Sequence, residues 1–176
     1  PASFCKLTQV EWMDLGVNHM TSLPKDIGKL IALKGLILYE NSIGYFPKSF
    51  AKLKKLEYLN LRLNGVRFQK ELCELTSLKY LNLKACTPVD TIPEEIGQLT
   101  ELRVLIMGYS RTTFLPETFV NLRSLENFQV SRGRIMHLPK DLYKLTNLKY
   151  ISVCCGMDRD EYARRIKELP NYIGRR

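Results

Sequence analysis

The sequence predicts an α/β solenoid: a stack of short coils, each a strand, a turn and a helical return, with the strands aligned in one parallel sheet. Three observations predict it. Leucines recur at 7, 30, 53, 75, 99, 122 and 145, a period of about 23 residues. Counting from each of them, offsets 0, 3, 6 and 8 give 28 slots, from Leu7, Val10, Met13 and Leu15 through Leu145, Leu148, Ile151 and Val153, and every one is apolar. With 45% of the chain hydrophobic, chance would produce that pattern with a probability of about 10⁻¹⁰. An apolar residue followed by Pro also recurs, as Leu23-Pro24, Phe46-Pro47, Ile92-Pro93, Leu115-Pro116 and Leu138-Pro139.

Each element of the unit follows from these positions. Offsets 6 and 8 are apolar between polar neighbours, as in a short strand with one buried face. Offsets 16, 20 and 23 have the wider spacing of a helical or 3₁₀ turn. Pro fits where the chain turns into that return, because its missing N–H is tolerated at a first helical position. Offset 11 carries Asn18, Asn41 and Asn64, then Cys86, Ser110, Gly133 and Gly156. An Asn there can bond its amide to backbone groups of neighbouring coils; Cys and Ser imitate this weakly and Gly cannot. A ladder that weakens toward the C-terminal half is expected.

These residues together resemble the leucine-rich repeat, written LxxLxxLxLxxN followed by xhxxLPxxIGxL with h apolar, and the resemblance covers the whole chain. It implies a curved horseshoe with a parallel concave sheet and short helical or 3₁₀ segments on the convex side. It also implies a non-enzymatic recognition module that binds a protein on the concave face. Units of irregular length with Cys or Ser at the ladder position look like the sensor region of plant intracellular immune receptors. The regular Asn-bearing N-terminal units look equally like Ras-suppressor-type scaffolds, or adaptors in signalling, or bacterial proteins of the same class.

Where the period breaks, local changes are expected. One residue is missing between Asn64 and Leu75, where Phe68 and Leu72 fill the apolar slots without a Pro, so that coil should be tighter. One residue is added in 87–91, which should bulge. After Gly156, Leu169-Pro170 comes eight residues later than the period requires. Asp158 and Glu161 form a capping-box-like start there, and Tyr162, Ile166 and Leu169 share a face, so 157–169 reads as a short inserted helix. The whole of 1–176 reads as a single domain of about seven repeats. Both ends fall inside the repeat phase without a visible polar cap, the expectation for a segment of a longer protein.

Composition narrows the function. The net charge is +9, from 27 Lys and Arg against 18 Asp and Glu. No stretch approaches the ~18 consecutive apolar residues of a membrane span, so no membrane insertion is expected. The two histidines, His19 and His137, fall on the turn or convex side, away from Cys154 and Cys155 on the strand. No zinc spacing, Walker loop or dinucleotide fingerprint occurs, so neither enzymatic activity, a cofactor, a metal nor a small-molecule substrate is expected. The five cysteines cannot all pair. Cys5 lies three coils from Cys73, and Cys86 three coils from Cys154 and Cys155, roughly 14 Å at ~4.8 Å per strand, beyond the ~7 Å reach of a disulfide. With no Asn-x-Ser/Thr acceptor, and without the paired-cysteine caps typical of extracellular members of the family it resembles, the chain reads as cytoplasmic.

The candidate binding residues are the strand side chains outside the apolar slots. Six are aromatic: Trp12, Tyr39, Tyr58, Tyr80, Tyr109 and Tyr150. Arg62, Lys84 and Arg132 join them, since Trp, Tyr and Arg combine large rigid area with a polar handle. Tyr58 and Tyr80 share a column on adjacent strands, where stacking alone would stabilise the sheet. Trp12, Tyr39, Tyr109 and Arg132 break their columns and are the first choices for binding. The concave set holds seven basic residues against five acidic, so most of the surplus lies elsewhere: in Lys25, Lys29, Lys48, Lys52, Lys54 and Lys55, and in six basic against three acidic residues over 159–176. A nucleic-acid groove would concentrate that surplus along one stripe. An acidic protein partner is the simpler inference, with nucleic acid or an anionic membrane at the basic C-terminal end as the rival of another class.

Overall fold

A computed structural model describes residues 2–86, 91–108, 112–155, 160, 163, 164, 167 and 169; the side chains at 131–134 and 153–155 lie outside that description. Seven strands form one parallel sheet in strict chain order: β1 (Trp12–Asp14), β2 (Gly35–Ile37), β3 (Tyr58–Asn60), β4 (Tyr80–Lys84), β5 (Val104–Gly108), β6 (Asn127–Ile135) and β7 (Tyr150–Cys155). The register pairs equivalent offsets, as in Gly35 opposite Tyr58 and Tyr58 opposite Tyr80. Columns of the sequence repeat are therefore columns of the sheet.

The core lies between the sheet and the returning segments. All twenty apolar slots of the five coils that start at Leu30, Leu53, Leu75, Leu99 and Leu122 are at most 1% exposed. Leu7, which begins the first coil, is 54% exposed, and Val10, Met13 and Leu15 are partly buried against the same core. Phe50, Phe119 and Phe128 fill the widest parts of the interior. A burial of this completeness is what fixes the stack, since each Leu side chain removed from water contributes about 1.5–3 kcal/mol.

Most returns are single 3₁₀ turns, among them Lys48–Lys52, Glu94–Gln98 and Glu117–Asn121. Pro47, Pro93 and Pro116 stand just before these turns in extended conformation, with ψ of 150°, 156° and 154°. Proline thus sits one residue earlier than a first helical position, and its carbonyl closes the turn by accepting the N–H three residues on, at 2.8, 3.1 and 2.9 Å. The unit lacking Pro returns through an α-helical turn, α1 (Lys70–Cys73), with Leu72 buried and Gln69 Oε1 accepting the Phe46 N–H at 2.8 Å.

Gly28 and Gly97 show why the returns stay close. A Cβ on Gly28 would lie 2.2 Å from the Ser49 carbonyl oxygen, and one on Gly97 would lie 2.7 Å from that of Thr118. Hydroxyls tie the same segments together, Ser49 donating to the Lys25 carbonyl at 2.5 Å and Thr118 to that of Glu94 at 2.6 Å.

Of the expected features at breaks in the period, 87–90 lies outside the described residues. In the inserted segment, positions 160, 163, 164 and 167 are helical and Leu169 joins the core at 5% exposure. Asp158, Glu161, Tyr162 and Ile166 lie outside the described residues.

Candidate protein-binding face

The sheet's open face is built by the offsets that the core does not use. Along offset 5, Trp12, Gly35, Tyr58 and Tyr80 stand side by side on β1 to β4. Tyr58 and Tyr80 stack at 4.4 Å between centroids and 7° between planes. Gly35 leaves a gap in the column, and the Trp12 ring leans over it to reach Tyr58 at 5.7 Å. A Cβ on Gly35 would meet that ring at 2.0 Å. Trp12 nevertheless stays 59% exposed. Burial beside Tyr80 raises the Tyr58 phenol above its usual titration range.

Offset 9 mirrors the arrangement. Gly16 on the first coil lies beneath the Tyr39 ring of the second, whose nearest atom would be 2.4 Å from a Cβ there. The first two coils therefore exchange rings, Trp12 seated on Gly35 and Tyr39 seated on Gly16. The signal was available in sequence, since each glycine occupies the same offset as the aromatic of the adjacent coil. Trp12, Tyr58 and Tyr80 form one continuous array, and Tyr39 stands on the same face four residues further along the coil. Tyr150, 42% exposed on β7, is separated from the array by Val104 and Asn127. Tyr109 and the Arg132 side chain lie outside the described residues.

Offset 4 carries an alternating ion ladder at the margin of the face. Lys34 pairs with Glu11 at 2.8 Å, Lys79 with Glu57 at 2.9 Å, and Glu126 takes both Arg103 at 3.3 Å and Lys149 at 2.7 Å. The hydrogen bond to Glu11, then its charge, holds the Lys34 ammonium above its usual range; the bond from Lys149 holds the Glu126 carboxyl below its own. These groups are exposed, so they order the margin more than they stabilise it. At the far margin Arg62 turns toward Glu40 at 3.4 Å. Asp14, Asn60 and Asn82 are occupied locally, each side-chain oxygen accepting the N–H two residues on at 2.8 to 3.1 Å.

The offset-11 ladder anchors this face from beneath. Asn64 donates to the carbonyls of Leu38 at 2.8 Å and Leu61 at 3.0 Å and accepts the Ile43 N–H at 3.0 Å; Asn41 does the same with Leu15, Leu38 and Met20. Cys86 supplies a single bond to the Leu61 carbonyl at 3.0 Å. Burial pushes the Cys73 and Cys86 thiols up to about 12, so neither is a thiolate nucleophile at neutral pH. Among the described residues, no three His, Cys, Asp or Glu side chains converge on a metal site, and no helix is long and apolar enough to cross a membrane.

Residues 61–172 match the family described as leucine-rich repeat region, and residues 8–66 match leucine rich repeat. The chain belongs to the leucine-rich repeat family. Among its curated relatives, TMV resistance protein N of Nicotiana glutinosa is 32% identical over 154 residues, 84% of this chain and 13% of that protein. DISP complex protein LRCH3 of Mus musculus is 30% identical over 77% of this chain and 17% of its own length. A leucine-rich repeat protein of Leptospira interrogans superposes with a TM-score of 0.80 at 27% identity, over 86% of this chain and 39% of that one. The leucine-rich repeat chain described here thus spans under a fifth of these two curated relatives.

Proposed function

We propose that this leucine-rich repeat chain is a non-enzymatic recognition module that binds a protein partner on the concave face, as the sensor region of an intracellular immune receptor. The observation that carries the reading is the ring exchange of the first two coils. Two aromatics are seated on glycines of the neighbouring coil, so a broad surface is held in place before any partner arrives and little conformational entropy is lost on binding. The binding set is Trp12, Tyr39, Tyr58, Arg62, Tyr80, Lys84, Tyr109, Arg132 and Tyr150. Resistance proteins among the relatives support the immune role, and LRCH3 supports the alternative of an intracellular scaffold.

A pull-down from plant cell extract with the wild-type chain and a Trp12→Ala/Tyr39→Ala/Tyr109→Ala/Arg132→Glu variant tests this, both checked by circular dichroism. A protein retained by the wild type and lost by the variant is the expected result. Equal retention moves binding off the concave face. One observation favours a rival: Lys25, Lys48, Lys52, Lys55 and Lys70 of the convex returns carry no ion pair among the described residues. Retention of nucleic acid alone, lost at modest salt, would assign function to those lysines instead.

A further inference from the structure

We infer that the concave face reads a carboxylate of its partner at Lys84, together with an aliphatic side chain on the strip formed by Val104 and Ile106. This deepens the recognition reading above and rests on it. The inference begins with charge. Six cations of this face are described, and five are already paired: Lys34, Arg62, Lys79, Arg103 and Lys149. Lys84 is exposed and has no ion pair among the described residues. Its neighbours supply no counter-charge either. Arg62 on one side spends its charge on Glu40, and the register places Gly108 on the other. The face around it offers Asn82 and Ile106, both uncharged.

A second observation sets the shape. Val104 and Ile106 are the two outward positions of β5, half-buried, with Tyr80 and Asn82 opposite them on β4. Gly108 carries no side chain to separate this apolar strip from the Lys84 stem. Lys84 and Ile106 are offset by one strand and two residues. That diagonal is roughly 8 Å, a little more than the ~6.6 Å between alternate side chains of an extended chain, and the flexible Lys84 stem covers the difference, so one partner segment can reach both. The recognised element is therefore an extended segment with Asp or Glu two residues from Val, Ile or Leu. An unpaired cation beside an apolar strip selects for it by attraction, and the same Lys84 charge selects against a basic segment.

Selection of random linear peptides displayed on phage, against the wild-type chain and a Lys84→Glu variant, tests the inference. Lys84 is exposed, so the exchange leaves the fold intact, which a thermal melt verifies. The expected result is enrichment of the acidic-x-aliphatic pattern on the wild type, with peptide affinity falling at least about tenfold on Lys84→Glu and that variant enriching Lys or Arg at the acidic position. The same acidic peptides selected equally by both proteins would overturn it. So would peptides without an acidic preference. A Trp12→Ala/Tyr39→Ala/Ile106→Asp variant separates the two failures: if it loses the enriched peptides while Lys84→Glu keeps them, the concave reading stands and the Lys84 assignment falls. If it also keeps them, or if nothing is enriched, both fall.

Discussion

The first four coils and the sixth share one leucine period but end their strands differently. In the first three, each strand is three residues long, and three residues past its end comes a left-handed residue just before the ladder Asn: Val17, Glu40 and Leu63, with φ of 52°, 53° and 57°. In the fourth, Ala85 turns the same way at 57° before Cys86, and β4 runs to five residues. In the sixth coil, where the ladder position is Gly133, β6 continues for nine residues and its register with β7 shifts between Val130 and Ile135. Strands lengthen as the ladder fades. The leucine columns decide that a coil forms, and the side chain at offset 11 decides where its strand stops.

The sharpest way to break the first region is to remove its ladder. Asn64 is 5% exposed, and Asn64→Ala would leave the Ile43 N–H without its partner and take one donor each from the Leu38 carbonyl, which keeps Asn41, and the Leu61 carbonyl, which keeps Cys86. The orphaned N–H costs about 1–3 kcal/mol and each of the two lost carbonyl bonds about 0.5–1.5 kcal/mol, so a loss of roughly 3 kcal/mol in urea unfolding is expected. Cys86→Ala removes one weak donor and should lose about 1 kcal/mol. Equal losses for the two would sink the account of graded strand endings.

Close approach of the returns gives the next effect. Gly28→Ala would press a Cβ against backbone at 2.2 Å, and Gly97→Ala at 2.7 Å. A destabilisation of about 2 kcal/mol is expected for Gly28→Ala and less for Gly97→Ala. Ala51 and Val120 occupy the equivalent place in other coils and are buried, so the spacing between returns varies along the stack. Thermal melts of the two variants would show whether the first pair of returns is the tighter.

Most of the fold and part of the face were legible in the sequence. Apolar slots were readable because burial acts on each residue separately and repeats with the coil. The alternation Glu11, Lys34, Glu57, Lys79 at offset 4 was equally readable, yet counting total charge hides it, since pairing depends on order rather than sum. The seating of Trp12 on Gly35 needed two coils to be compared at once. The left-handed turns were not legible. Val, Glu, Leu and Ala do not favour that conformation; what the four positions share is a ladder residue one position later, Asn18, Asn41, Asn64 or Cys86, which hydrogen-bonds backbone carbonyls.

Proton linkage distinguishes the buried thiols around the fourth coil from the exposed ion ladder. Cys73 and Cys86 hold their protons to about 12, well above the ordinary thiol value of 9.0. Above pH 9 the unfolded chain ionises while the folded one does not, so stability falls as pH rises from about 9 toward 12. A loss of about 1 kcal/mol for each thiol by pH 10 is expected from urea unfolding, and a Cys73→Ala/Cys86→Ala variant should lose that slope. An unchanged slope would show that other groups carry it. The folded wild type should also resist a thiol reagent at pH 8 at both positions.

The smallest effect runs the other way and sharpens the comparison. Val17 holds a left-handed backbone that a β-branched residue adopts at a cost of about 1–2 kcal/mol, and its side chain is 62% exposed, so little burial is recovered. Asn tolerates that conformation far better. Val17→Asn is therefore expected to stabilise the chain by about 0.5–1 kcal/mol, measured by urea unfolding. The backbone bond from its N–H to the Tyr39 carbonyl at 2.9 Å survives the exchange. The same substitution at Ala85 should gain less, because Ala is less strained there than a branched residue. If Val17→Asn destabilised instead, the turn would be held by the Val17 side chain rather than by the ladder, and the ordering of strand lengths would need another cause.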